Sequence, residues 1–177
     1  MHGGIGTLKP LVIVTLLVVY NLLPIQATMA AKQFDNTQLL EDAANHDPEA
    51  QYTLAHLYLK GQGGIYLDVD YAIRWLELAA ASGHRDAAFD LALLYLNGRK
   101  VGKDSKKALV WLIKAAELNQ VDAMHLLGLV YKENDSDQAV HWLEKAAAAG
   151  HAESEEELAG ICSKAPDLCG HSNGVGD

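Results

Sequence analysis

Eight histidines, two cysteines, 23 carboxylates and a scatter of serines are the groups in this 177-residue chain that could move protons, hold a metal or attack a carbonyl. A zinc centre needs three or four ligands converging in a fixed geometry. The histidines do not offer one. His84 and His151 each follow a glycine that ends a repeated segment, and His46 sits in the comparable turn of an earlier partial segment. His56 and His125 stand at non-equivalent positions of different segments, while His141 and Glu144 are solvated neighbours three apart on a helix. Neither a metal nor a cofactor is expected. Covalent catalysis needs a nucleophile beside a base and an orienting group. No serine lies in a G-x-S-x-G turn, and Ser82, Ser105 and Ser136 sit in turns and helix caps. The glycines from Gly61 to Gly64 lack the G-K-[ST] that would cradle phosphate, so they end a helix. The spacing C-S-K-A-P-D-L-C is wrong for a C-x-x-C redox or zinc site. In an oxidising compartment Cys162 and Cys169 suit one structural disulfide. The chain carries no recognisable catalytic site.

The compartment is read from the first thirty residues, which contain no acid, one base (Lys9) and an apolar run from Leu11 to Leu23. As a helix that run would reach about 20 Å, short of the roughly 30 Å hydrocarbon layer. Asn21 interrupts it and Pro24 follows it, and Thr28 and Ala30 can fill the minus-three and minus-one positions of a signal peptidase site. Residues 1–30 therefore read as a secretory signal, with a periplasmic or secreted product and no stable membrane insertion once it is cleaved. An uncleaved anchor, giving a membrane-tethered scaffold, is the alternative. The net charge of -9 repels nucleic-acid phosphates and anionic lipid, so nucleic acid is not expected as a partner. Charges of both signs read as well mixed through the middle of the chain, apart from the run Glu155, Glu156, Glu157.

The elements that position these groups come from an internal repeat. Tyr58, Tyr95 and Tyr131 recur at intervals of 37 and 36, and Trp75, Trp111 and Trp142 at 36 and 31. Each tryptophan is followed by a leucine (Leu76, Leu112, Leu143) and, three places on, by an alanine pair. A period in the mid-thirties marks a helix pair that cannot bury its apolar face alone and must stack on its neighbours. Asp47 and Pro48 start a first helix, helix A, that runs to Lys60 before the glycines. In the second unit Asn97 and Gly98 close helix A, and Asp104 with Ser105 caps a helix B reaching about Leu118. The third unit lacks the glycine loop, so Asn134, Asp135 and Ser136 do both jobs. Ala50, Leu54, Leu57 and Tyr58, with their equivalents Ala87, Leu91, Leu94, Tyr95 and Ala123, Leu127, Val130, Tyr131, share one helical face and predict the core. Ala55, Ala92 and Gly128 are small where two helices must approach closely.

At these residues the chain resembles the Sel-1-like repeat family, a branch of the tetratricopeptide-like solenoids, whose pattern is similar to A-x-x-x-L-G-x-x-Y-x-x-G, an acid, then K-A-x-x-W-x-x-K-A-A-x-x-G. The second unit fits best, through Ala87, Leu91, Tyr95, Gly98, Asp104, Lys107, Ala108, Trp111, Lys114, Ala115 and Ala116. It departs at Ala55 and Ala92, where the family often has glycine, and in the third unit's missing loop. The expected organisation is a partial cap helix over 36–46 with Leu39 in the tryptophan slot, repeats over 47–83, 84–119 and 120–150, a cap helix with the disulfide over 151–169, and a disordered tail over 170–177. The resemblance implies an all-α, right-handed superhelical solenoid of antiparallel helix pairs, with helix A lining a concave face used for scaffolding and adaptor contacts.

On that implication the stripe opposite the core face of helix A makes the contacts. Glu49, Tyr52, His56, Asp86, Phe89, Leu93, His125 and Leu129 are the candidate partner-binding residues, flanked by Lys60, Asn97 and Asp122. Aromatic anchors with a charged rim suit a peptide or helix segment of another protein. Tyr52, Phe89 and His125 share one repeat position and could equally be packing residues. The expected function is an exported protein-interaction adaptor or regulator in the cell envelope. A competing class is a weak β-lactam-binding or hydrolysing enzyme, as described for some cysteine-rich members of the family, but those carry a cysteine pair in each repeat and this chain has one pair in total.

Overall fold

The computed structural model describes residues 36–98 and 100–169. The expected signal over 1–30 and the tail over 170–177 lie outside them. Among the described residues the structure is helix and turn alone: α1 (Thr37–Ala44), α2 (Pro48–Lys60), α3 (Val69–Ala81), α4 (Arg85–Asn97), α5 (Ser105–Glu117), α6 (Val121–Tyr131), α7 (Ser136–Ala148), α8 (Ala152–Lys164) and α9 (Pro166–Cys169). The helices pack in chain order as three pairs, α2 with α3, α4 with α5 and α6 with α7, each pair stacked on the next. The first of each pair is helix A and the second helix B, forming a solenoid of stacked helix pairs.

Leucine builds the core. Leu54, Leu91 and Leu127 from helix A and Leu76, Leu112 and Leu143 from helix B are fully buried, one of each in every pair. Each such burial contributes about 1.5–3 kcal/mol of transfer free energy. Alanines at Ala55, Ala79, Ala80, Ala92, Ala115 and Ala146 are also fully buried, letting the helices approach, while Tyr58, Trp75, Trp111 and Tyr131 pack against this core half-buried. Tyr95 and Trp142 are buried outright. Gly128 marks the closest approach: a Cβ there would stand 2.5 Å from Leu143 Cγ. One residue departs from the expected core face. Val130, one residue before α6 ends, is 44% exposed.

The units differ in loop length yet close in the same way. The backbone N–H of the aspartate capping helix B donates to the carbonyl of the repeat tyrosine: Asp68 to Tyr58 at 3.0 Å, Asp104 to Tyr95 at 3.0 Å and Asp135 to Tyr131 at 2.8 Å. Each aspartate also caps its helix through its side chain, accepting from Tyr71 N, from Lys106 N and Lys107 N, and from Gln138 N. The glycine loop is therefore an insertion between two fixed points, and the third unit loses it without changing the joint.

At the ends, α1 covers Leu54 with Ala43 and Leu39, and Gln51 Nε2 donates to the Ala43 carbonyl at 3.1 Å. Helix α8 covers α7 through Ile161 and Leu158, and the Cys162–Cys169 disulfide ties the short α9 back to it. Among the described residues no helix is long and apolar enough to cross a membrane.

Candidate partner-binding face

The candidate stripe on helix A is assembled by the turns that enter each helix. Asp47, His84, Gln120 and His151 occupy equivalent N-cap positions, each three residues before Ala50, Ala87, Ala123 or Ser154. Asp47 Oδ1 accepts Ala50 N–H at 2.8 Å and Gln120 Oε1 accepts Ala123 N–H at 2.8 Å. His84 Nδ1 accepts Ala87 N–H at 3.2 Å, and His151 Nδ1 accepts Ser154 N–H at 3.3 Å. Histidine is an unusual N-cap, but a neutral imidazole with its proton on Nε2 presents Nδ1 as the acceptor that an Asn or Asp oxygen normally supplies. The two histidines do more than turn the chain. His46, by contrast, takes the left-handed position (φ 67°) that Gly83 and Gly150 fill elsewhere, so it precedes the capping position.

The two histidine caps then reach the preceding helix A. Tyr52 stacks on His84 at 4.3 Å between ring centres, and His125 stacks on His151 at the same 4.3 Å and the same 23° tilt. The acid at the second position of helix A receives the far side of the cap: His84 Nε2 lies 3.1 Å from Glu49, Gln120 Nε2 donates to its neighbour Asp122 at 3.2 Å, and His151 Nε2 stands 3.7 Å from Asp122. Tyr52 and His125 are thus packing residues on one ring face. Phe89 holds the same repeat position and packs half-buried against the core.

Two polar clusters lie along the stripe. In the first, Asp90 accepts from His56 Nε2 at 2.8 Å and from the Tyr52 hydroxyl, and burial together with the Asp90 carboxylate pushes the Tyr52 phenol well above its usual pKa. A shallow hollow of about 150 Å³ opens beside this pair, lined by His56, Leu59, Asp90, Leu93, Leu94 and Asn97. In the second cluster, Ser154 Oγ sits 2.9 Å from His125 Nδ1 and 3.0 Å from His151 Nδ1. One proton arrangement satisfies all of it: His125 Nδ1–H donates to Ser154 Oγ, whose hydroxyl donates to His151 Nδ1. Burial, then the neighbouring His151, lowers the His125 pKa, against the pull of Glu153, Glu157 and Asp122. Nearby, Lys132 and Glu157 pair, raising the lysine and lowering the carboxyl pKa.

Ser154, His151 and Asp122 are the residue types of a nucleophilic relay, but Ser154 is 0% exposed, so its hydroxyl meets no substrate and joins two stacked units instead. Among the described residues no three His, Cys, Asp or Glu side chains are grouped to hold a metal. The structure brings Glu49, Tyr52 and His56 together in one cluster and Leu93 to the adjoining hollow. Asp86 sits by Arg85, 3.8 Å away, and Leu129 is an exposed leucine on α6 beside the exposed Val130. Asp90, His84, Gln120, His151 and Ser154 were absent from the expected stripe. The constant offset of three from each cap to the first buried residue of helix A was the signal that could have found the caps. Asp90 has no equivalent in the other units, and only packing places it.

Comparison with known proteins follows this geometry. The Sel1 repeat family model matches residues 48–84, 85–120 and 121–151. Chitin synthase regulatory factor 4 of Schizosaccharomyces pombe is 28% identical over 138 residues, covering 77% of this chain and 21% of that protein. Chitin synthase regulatory factor 3 of the same yeast is 31% identical over 137 residues, covering 72% and 15%. The chain thus spans about a fifth or less of the length of these relatives. A Sel1 repeat protein from Oxalobacter formigenes superimposes with a TM-score of 0.64 at 34% identity, over 70% of this chain and 96% of that one. The protective antigen c5321 of uropathogenic Escherichia coli, which has the same repeat fold, gives 0.62 at 30% identity, over 70% and 27%.

Proposed function

This chain belongs to the Sel1 repeat family, with three repeats over more than half its length, and on that premise we propose that it is a protein-interaction adaptor that holds a partner segment along the helix A face. The regulatory factors among its relatives support a regulatory role, and a non-catalytic scaffold agrees with the burial of Ser154. The observation that carries the face is the hollow between α2 and α4, where apolar Leu59, Leu93 and Leu94 lie beside the carboxylate of Asp90. With Glu49, Asp86 and Asp122 lining the same side, the chemistry favours a segment with a Lys or Arg next to an apolar side chain. The lone base of the candidate stripe is Lys60.

Photo-crosslinking tests the face. A benzophenone amino acid placed at Leu93 or Leu129 should yield a discrete adduct with one partner in the producing cell, and the same probe at exposed His141 on α7 should yield none. An adduct from position 141 alone, or none from either helix A position, would remove the helix A assignment. Location is proposed on the N-terminal sequence: the run Leu11–Leu23 supports export to the envelope, with cleavage after Ala30. Mass spectrometry of the mature N-terminus reads it directly, since a retained apolar run would make the protein a tethered scaffold.

A further inference from the structure

A second surface, on the helix B side, carries the opposite charge. Six of the chain's 14 Lys and Arg fall between Arg99 and Lys114, a stretch whose one acid is Asp104, although the whole chain is at -9. Asp104 is committed to capping α5. Among the described residues neither Lys106 nor Lys114 is ion-paired, and Lys107 Nζ lies 5.1 Å over the ring of Tyr95. Lys107, Val110 and Lys114 recur at helical spacing on one face of α5, with Lys106 one turn before Val110. Val110 is 64% exposed at the centre of this basic face. It lies on the rim of a cavity of about 340 Å³, whose walls are Glu77 of α3, Tyr95 of α4, and Lys106, Lys107, Val110 and Trp111 of α5.

We propose that this cavity is a docking site for an acidic protein segment that inserts one apolar side chain between Tyr95, Val110 and Trp111. The occupant follows from charge complementarity and from the floor. Unpaired lysines attract carboxylates at short range, against the long-range repulsion from a chain at -9 that screening by salt reduces. The half-buried Trp111 ring and the exposed Val110, over a floor formed by Tyr95, gain from apolar contact, which a bare polyanion does not supply. Glu77 on the opposite wall adds a repulsive element against a ligand that is negative along its whole length, such as nucleic acid. The volume is at the small end of ligand pockets and suits a side chain or two, not a cofactor. The lysines and Val110 are distinct from the residues of the helix A stripe, so the chain presents an acidic stripe and a local basic patch on α5 and can join two partners of opposite charge.

Fluorescence anisotropy on the full chain tests this with three labelled peptides: glutamates flanking a Leu-Trp pair, the same peptide with Lys for Glu, and glutamates flanking Gly-Ser. The first should bind and the other two should bind at least about tenfold more weakly. Lys106→Glu and, separately, Val110→Asp should each weaken the first peptide by about tenfold with circular dichroism and melting midpoint unchanged, since both side chains are exposed. Three outcomes overturn the site: no binding of the first peptide, equal binding of the Gly-Ser peptide, or binding indifferent to both variants. Tighter binding of a single-stranded RNA or of phosphatidylserine vesicles would overturn it as well, by assigning the lysines to another class of partner. The helix A crosslinks are unaffected by any of these results, so the two readings fail separately.

Discussion

At the scale of single residues, histidine carries the most information and was the least legible. His84 and His151 sit where the other units have Asp47 and Gln120, and they work there because a neutral ring offers one acceptor and one donor on opposite sides. Their partners determine what the ring does, and those partners are Glu49, 35 residues away, for His84, and Asp122 with the stacked His125, in the preceding helix A, for His151. His125 gives a pH prediction. Burial, and then His151, holds its folded-state pKa below the unfolded value of about 6.5, so the unfolded chain binds the extra proton first. Its contribution is complete above that value and is lost as the pH falls below it, the carboxylates of Glu153, Glu157 and Asp122 softening the loss. Phe89 shows that a phenyl ring fits this repeat position. His125→Phe should therefore flatten the fall in melting midpoint between about pH 7 and pH 5. An unchanged slope would move the titration to another group.

At the scale of the helix, the caps decide how units join. A cap that binds its own helix with one atom and the preceding helix A with another couples local helix formation to stacking, so the two cannot be lost separately. His84→Ala removes both and should cost about 0.5–2 kcal/mol, the usual loss for an N-cap. His84→Gln copies Gln120 and should retain most of it. Chemical denaturation of the pair reads the difference, and equal loss in both variants would mean that the ring stack with Tyr52, not the cap, holds the joint. Gly128 shows the same coupling through sterics. A Cβ at this position would force the Leu143 side chain to shift, whereas the equivalent Ala55 and Ala92 are accommodated fully buried.

For the whole molecule, stacking makes the ends vulnerable. Each unit buries its apolar side against a neighbour, so α1 and the α8–α9 pair exist to cover what the first and last units leave open. Ending the chain at Gly150 would uncover Ala139, Val140 and Leu143 and remove Ile161. Such a variant should melt lower and self-associate on size exclusion; a monomer of unchanged midpoint would show that α8 is dispensable. The sequence alone determined the family resemblance, the all-helical repeat and the leucine ladder, because these depend on periodic burial within one or two helical turns. It did not determine which residues of helix A meet which residues of the next unit. The Tyr52–His84 and His125–His151 stacks, the Asp90 cluster and the basic cavity over Tyr95 are contacts between segments about thirty residues apart, and only the angle at which one helix pair lies on the next brings them within bonding distance.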